Sequence, residues 1–119
     1  MKLTLNPPFD PDEALSIVDG DKELFLELVS VFRENYPTEL SSIRDAIGLN
    51  DSEALRRASH HFKGTLSALA ARPASDAAVR LEDMGRDADL SQAEAAFDHI
   101  EKSVQALESA LSDWVNDVR

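Results

Sequence analysis

The 119-residue sequence contains no cysteine, four glycines and five prolines. Without cysteine there can be no disulfide, thiolate metal ligand or cysteine nucleophile. So little glycine and proline excludes collagen-like and low-complexity classes. No apolar run approaches the roughly 18 residues of a membrane span. The start, MKLTLNPPFDP, is not a secretory signal, because Pro7 and Pro8 interrupt a very short apolar stretch. We therefore expect one cytoplasmic domain.

Basic residues are also scarce. Lysine and arginine number 12 against 23 aspartates and glutamates, which gives a formal net charge of −11. An acidic chain is repelled by nucleic-acid phosphates and by anionic lipid. We therefore expect neither a nucleic-acid nor a membrane partner.

Aromatic residues make up only 6% of the chain, and the capping and apolar patterns predict helices throughout. Asp10 caps a short helix that ends near Val18, and a long amphipathic helix runs from Asp21 to Gly48. Pro37 predicts a kink or a local break within that long helix.

Three further helices follow in the pattern. Asn50 with Glu53 forms a capping box that opens the next helix, and Pro73 stands at the predicted first position of another. Ser91 begins a third capping box, before an unbroken three-four apolar repeat. We predict an all-α fold, an antiparallel up-and-down four-helix bundle with a short additional N-terminal helix. It forms a single domain over residues 1–119, with residues 1–9 as an N-terminal extension.

Two adjacent histidines occupy different positions on the helix that begins after Asn50. At about 100° per residue, His60 lies nearly opposite the apolar stripe of that helix, whereas His61 lies at the edge of the stripe. We therefore expect His60 in solvent and His61 partly packed.

Lys63 and Gly64 follow His60 within about one turn. A mid-helix glycine costs roughly 1 kcal/mol relative to alanine, and here it clears the surface for another molecule to approach. Exposed imidazole, open surface and ammonium together suit an anionic group held on His60. The simpler alternative is a solvated histidine and a glycine that relieves helix packing.

The run ASHHFKGT, residues 58–65, resembles the His-x-x-Lys-Gly-(Ser/Thr/Ala) signature of histidine-containing phosphotransfer (HPt) domains. The similarity extends over nearly the whole chain. It includes Phe9-Asp10, Tyr36-Pro37, the segment from Asp51 to Arg57, and Leu81-Glu82. One departure is Ala70, where the family often has glycine at the end of the helix.

The resemblance implies a phosphorelay intermediate of a two-component signalling system. His60 would accept a phosphoryl group from a receiver-domain aspartate, hold it as phosphohistidine and pass it to another receiver. Lys63 would stabilise the phosphoryl group, and Gly64 would admit the receiver. Response-regulator receivers or a hybrid sensor histidine kinase would be the partners of a monomeric chain.

The same resemblance implies that the protein needs no cofactor of its own, because the receiver supplies Mg²⁺. The sequence also lacks a Gly-rich phosphate loop, and we expect no autonomous kinase activity. Whether the protein is to be classed as an enzyme is left open.

A basic segment surrounds the histidine. From Arg56 to Arg86 there are six basic and three acidic residues, a net charge of +3, while the remainder carries −14. Such a segment would steer an acidic receiver toward His60, and we predict that Arg56, Arg57 and Ser67 contact the partner. The alternative is that these charges only populate solvated helix faces.

A helical bundle could also belong to two other functional classes. A di-metal bundle enzyme needs Glu-x-x-His pairs, and the residues three before His60, His61 and His99 are not glutamate. The second alternative is an acidic helical-bundle adaptor that binds a signalling partner and carries no phosphate. Such an adaptor would need neither His60 nor Lys63.

Overall fold

The computed structural model describes residues 7–118, which form five helices and no strand. These are α1 (Pro11–Ile17), α2 (Lys22–Gly48), α3 (Ser52–Ala68), α4 (Arg72–Arg86) and α5 (Ala93–Val118). The predicted all-α class is confirmed. Within the described range, no helix is both long and apolar enough to cross a membrane.

Aspartates cap the first three helices. Asp10 accepts hydrogen bonds from the amides of Asp12 and Glu13, and Asp21 accepts one from Leu24. The predicted cap of α3 was wrong by one residue: Asp51, not Asn50, accepts from the following helix. Asn50 instead has a positive φ of 53° and ends the turn after α2, which removes it from the capping position.

The starts of α4 and α5 also differ from prediction. Arg72 is the first residue of α4, and Pro73, the predicted first position, is the second. The predicted capping box of Ser91 and Glu94 is absent from the described contacts, because the Ser91 hydroxyl donates to Asp89. Helix α5 then starts at Ala93.

Pro37 does not break α2, which runs from Lys22 to Gly48 without interruption. The predicted local break is therefore wrong. Pro37 is exposed, so its ring meets solvent and does not displace a neighbouring helix.

One hydrophobic core joins all five helices. Phe25 lies at one end of it, where Phe9 stacks at 6.2 Å between ring centroids and Trp114 contacts the ring edge-on at 5.1 Å. Phe9 is the last residue of the predicted N-terminal extension, and it is buried. Residues 1–6 of that extension lie outside the described residues.

The four longer helices contact one another in a closed order. Helix α3 packs most extensively on α4, and further contacts join α2 to α3, α4 to α5, and α2 to α5. Arg33 of α2 pairs with Glu108 of α5, whereas Arg44, further along α2, pairs with Glu94 near the start of α5. The two helices therefore run in opposite directions. This packing holds the outer faces of α3 and α4 side by side, and the candidate site lies there.

Candidate functional site at the junction of α3 and α4

His60 projects from the outer side of α3. The buried residues of that helix are Leu55, Ser59, Phe62 and Leu66, and they anchor the opposite side in the core. The His60 side chain is 62% exposed. The predicted exposure of this imidazole is confirmed.

His60 does not stand alone, because α4 places a glutamate against it. The Nδ1 atom of His60 lies 2.9 Å from Oε2 of Glu82. The Nζ atom of Lys63 lies 3.1 Å from Oε1 of the same carboxylate. Glu82 therefore joins two predicted site residues through its two oxygens, although its own side chain is only 6% exposed.

Two opposing effects act on the Glu82 carboxyl. Burial penalises its charged form, but hydrogen bonds from Lys63 and His60 outweigh that penalty and hold the pKa of Glu82 below its ordinary value. Glu82 is thus an ionised carboxylate near neutral pH and can only accept hydrogen bonds.

The ionised carboxylate decides which nitrogen of His60 carries the proton. Since Glu82 accepts, Nδ1 of His60 must be the donor. In the neutral ring the lone pair then belongs to Nε2, and Nε2 has no hydrogen-bond partner among residues 7–118. The arrangement presents a solvent-accessible nucleophilic nitrogen in a fixed tautomer.

Arg86 approaches the same carboxylate from α4. Its Nη2 atom lies 3.3 Å from Oε2 of Glu82, and its Nη1 atom lies 2.6 Å from Oδ1 of Asp83. Arg86 is half-exposed and Asp83 holds the other branch of its guanidinium. Glu82 therefore has a second cationic neighbour besides Lys63.

His61 is also held by a glutamate, which belongs to α2 and not to α4. Its Nδ1 atom lies 2.5 Å from Oε1 of Glu39 on α2, yet its side chain is 77% exposed. The prediction that His61 is partly packed is wrong. The ring borders an open groove of about 400 Å³, which Val31 and Thr65 also line.

The two histidine–glutamate pairs differ in their charge balance. The second oxygen of Glu82 binds Lys63, whereas Oε2 of Glu39 is buried and has no hydrogen-bond partner within the described part of the chain. No lysine or arginine forms an ion pair with Glu39 there. A cation able to meet an added anionic group therefore lies beside His60 and not beside His61.

Gly64 leaves the surface after His60 open. A Cβ atom at this position would meet nothing within 4 Å, so Gly64 does not relieve packing between helices within the protein. The simpler explanation of this glycine thus loses its structural basis. Open space one turn after His60 is what the access role predicts.

The three residues predicted to contact a partner are all on α3, and each bonds or lies near a side chain other than His60. Arg56 bonds Glu53 at 2.6 Å, and Arg57 lies 4.0 Å from the same carboxylate. Ser67 is exposed, and its hydroxyl lies 3.0 Å from that of Ser75 on α4. All three are accessible at least in part, but none contacts His60 among the described hydrogen bonds.

The basic segment is less basic in space than in sequence. Arg72 bonds Glu13 on α1 at 2.9 Å, and Lys63 and Arg86 both bond Glu82. Arg80 forms no ion pair within residues 7–118. Local carboxylates therefore compensate much of the positive charge that was assigned to steering.

Glu82, which contacts both His60 and Lys63, was not among the site residues predicted from the sequence. Its sequence signal was present, because Leu81-Glu82 belongs to the family resemblance. However, it lies 22 residues after His60, and no periodicity within one helix links the two. The described residues contain no group of three or more histidine, aspartate or glutamate side chains arranged to hold a metal ion.

Comparison with known proteins adds two findings. The sequence model of the Hpt domain matches residues 27–110. The fold is similar to the crystal structure of histidine-containing phosphotransfer protein B (HptB) from Pseudomonas aeruginosa PAO1, with a TM-score of 0.86 and 23% identity over 95% of this chain and 98% of that chain. None of the curated proteins matches the chain.

Proposed function

Because the chain belongs to the histidine-containing phosphotransfer domain family, we propose that it is a phosphorelay intermediate whose phosphoacceptor is His60. It takes a phosphoryl group from the aspartate of one receiver domain and gives it to the aspartate of another. The observation that carries the proposal is the contact between His60 Nδ1 and the ionised Glu82. That contact directs the lone pair of the ring to the free nitrogen, Nε2.

Each bond that forms or breaks in the transfer step can be assigned to atoms of His60 and of the receiver. Nε2 of His60 attacks phosphorus, the bond from phosphorus to the aspartyl oxygen breaks, and the receiver regains its carboxylate. The product ring is protonated at Nδ1 and remains bonded to Glu82, which stabilises the positive charge that the ring acquires during attack. Transfer to the second receiver reverses these bond changes.

Lys63 and Gly64 assist at the same surface. Lys63 is one helical turn from His60, so its ammonium can meet the phosphoryl oxygens. The open space at Gly64 admits the active site of the receiver. The receiver would also bring Mg²⁺, because charge neutralisation and alignment dominate phosphoryl transfer.

The docking face would include Arg56, Arg57 and Ser67, on the outer side of the proposed antiparallel four-helix bundle. The opposed pairs along α2 and α5 and the closed contact order of the longer helices support that topology. The extent of local ion pairing favours a short-range role for these arginines over long-range steering.

The direct test is phosphoryl transfer from a receiver domain that has been charged with a small phosphodonor. We expect acid-labile label to move to the protein, to disappear in His60→Gln and to survive in His61→Gln. The His61 variant is a matched control, since it removes a neighbouring imidazole that is also held by a glutamate. Label on the His60 variant at the wild-type level would refute the assignment.

The same variants separate a relay from an adaptor. We expect His60→Gln to bind the receiver with nearly unchanged affinity in a calorimetric titration, since it leaves the surrounding surface intact. If that variant still supports signalling in cells, the protein acts as an adaptor without phosphate. Loss of signalling with retained binding supports the relay.

A further inference from the structure

Three donors share the carboxylate of Glu82, although the proposed chemistry uses only two of them. Lys63 bonds Oε1, while His60 and Arg86 both bond Oε2. Two of these three donors, Lys63 and Arg86, belong to basic side chains. Arg56 also lies near enough for the charge of Glu82 to act on it, but its guanidinium is bonded to Glu53.

Phosphorylation of His60 places a conflicting demand on Lys63. In the unmodified protein Lys63 neutralises Glu82, whose side chain is almost wholly buried. A phosphoryl group on Nε2 brings between one and two further negative charges to the same helical turn. Lys63 meets those charges most closely by turning toward the phosphoryl group, and its bond to the buried carboxylate of Glu82 is then weakened or lost.

We propose that Arg86 is a positioning residue of this site, which keeps Glu82 paired while Lys63 turns toward the phosphoryl group on His60. The inference rests on the proposed function, and it adds a residue that the signature around His60 does not contain. Arg86 occupies the oxygen that Lys63 does not use. Departure of Lys63 therefore leaves Glu82 with one cation and the His60 ring.

Asp83 makes Arg86 suitable for this role. It holds Nη1 of Arg86 at 2.6 Å, while Nη2 points to Glu82. The planar guanidinium can serve two carboxylates at once, and an ammonium is less suited to hold that fork. Because Asp83 also holds Arg86, Arg86 remains beside Glu82 when the charge next to His60 changes.

The kinetic test measures transfer from a charged receiver to the wild type, Arg86→Gln, Lys63→Gln and the double variant. We expect Arg86→Gln to slow the maximal rate about fivefold, because Lys63 becomes the only remaining cation of a buried carboxylate. In the Lys63→Gln background the same change should slow the rate by a smaller factor than in the wild type, because the part of the Arg86 effect that acts by releasing Lys63 is then absent. Arg86→Lys should restore part of the rate.

Arg80→Gln is the matched control. It removes an equal charge from the same helix, and Arg80 bonds no carboxylate within residues 7–118. We expect this variant to keep the wild-type maximal rate at saturating receiver concentration. The proposal fails on a different pair of results. These are a higher receiver concentration for half-maximal rate in Arg86→Gln, and an equal slowing by Arg86→Gln in the wild-type and Lys63→Gln backgrounds. Arg86 would then belong to the docking surface.

A spectroscopic test does not depend on any receiver. The protein can be phosphorylated directly with phosphoramidate, and the signal of phosphorylated His60 identified by its loss in His60→Gln. We expect the side-chain nitrogen resonance of Lys63 to shift on phosphorylation in the wild type and in Arg80→Gln, and to shift less in Arg86→Gln. An equal shift in all three would overturn the role of Arg86, whereas failure of receiver transfer alone would count only against the relay.

Discussion

Gly85 of α4 lies directly against the backbone of Arg56 on α3: a Cβ atom at Gly85 would stand 2.6 Å from the Arg56 nitrogen. No side chain fits at that distance unless the two helices separate. The contact sets how near α4 comes to α3 one turn beyond Glu82. The close approach at Gly85 therefore helps to place Glu82 of α4 within bonding distance of His60 on α3.

Gly85→Ala should destabilise the protein by about 1–3 kcal/mol, because the overpacking cost exceeds the gain in helix propensity. Urea denaturation gives the free energy of unfolding. Gly48→Ala is the control, since a Cβ atom there meets nothing within 4 Å; it should be neutral or stabilising by up to about 1 kcal/mol. Equal stability of Gly85→Ala and the wild type would show that the helix contact is soft.

Gly64→Arg should leave the fold intact and impair transfer. The site of the new side chain is open, and arginine is more favourable than glycine in a helix by about 0.8 kcal/mol. A receiver would meet a bulky cation one turn from His60, so we expect transfer to slow by about tenfold or more. Gly64→Ala, which adds a single methyl group, should retain most of the rate. A Gly64→Arg variant with wild-type kinetics would remove the access role.

Glu82→Gln should change how stability depends on pH. The pKa of Glu82 is held below its ordinary value of 4.5, so its ionised form stabilises the folded state. That contribution is complete above about pH 4.5 and is lost as pH falls through the lower folded value.

The measurement is the difference in unfolding free energy between wild type and Glu82→Gln from pH 7 to pH 3. We expect the wild type to be the more stable protein at pH 7 and its advantage to narrow as the pH falls below about 4.5. Comparison at each pH cancels the titration of the other carboxyl groups. An advantage that grows as the pH falls would contradict the sign of this effect.

Ala70→Gly should stabilise the turn between α3 and α4. Ala70 has a φ of +55°, a left-handed conformation that costs a non-glycine residue roughly 1–2 kcal/mol. Loss of its methyl group from a buried position offsets part of the gain, so we expect a net stabilisation of about 0.5 kcal/mol. Ala68→Gly, in the last helical position of α3, should destabilise by a similar or larger amount. Thermal unfolding of the two variants provides the comparison.

Local chemistry explains which sequence predictions succeeded. Asp10 caps α1 as predicted, because a cap involves only residues two or three positions away. The exposure of His60 followed from helical geometry alone. Asn50 failed because its left-handed backbone ends one helix, so the next one is capped by Asp51.

The features that the sequence did not predict depend on contacts between helices. Glu82 meets His60, and Glu39 meets His61, only after α2, α3 and α4 have packed. A helical wheel drawn for α3 alone contains neither carboxylate. The pairing of Arg72 with Glu13 on α1 was equally out of reach, and so the positive charge of the basic segment was overestimated.

His60 is the ninth of the 17 residues of α3, the exact middle of the helix. Backbone amides at helix ends exchange with solvent through fraying, whereas central amides on a buried helix exchange only when larger units open. Ser59 and Phe62, both fully buried, tie this centre to the core. The amide of His60 should therefore be among the slowest to exchange with deuterium, although its imidazole is in water. Because the backbone at His60 is held rigidly, conformational changes during binding would have to occur mainly in the incoming molecule.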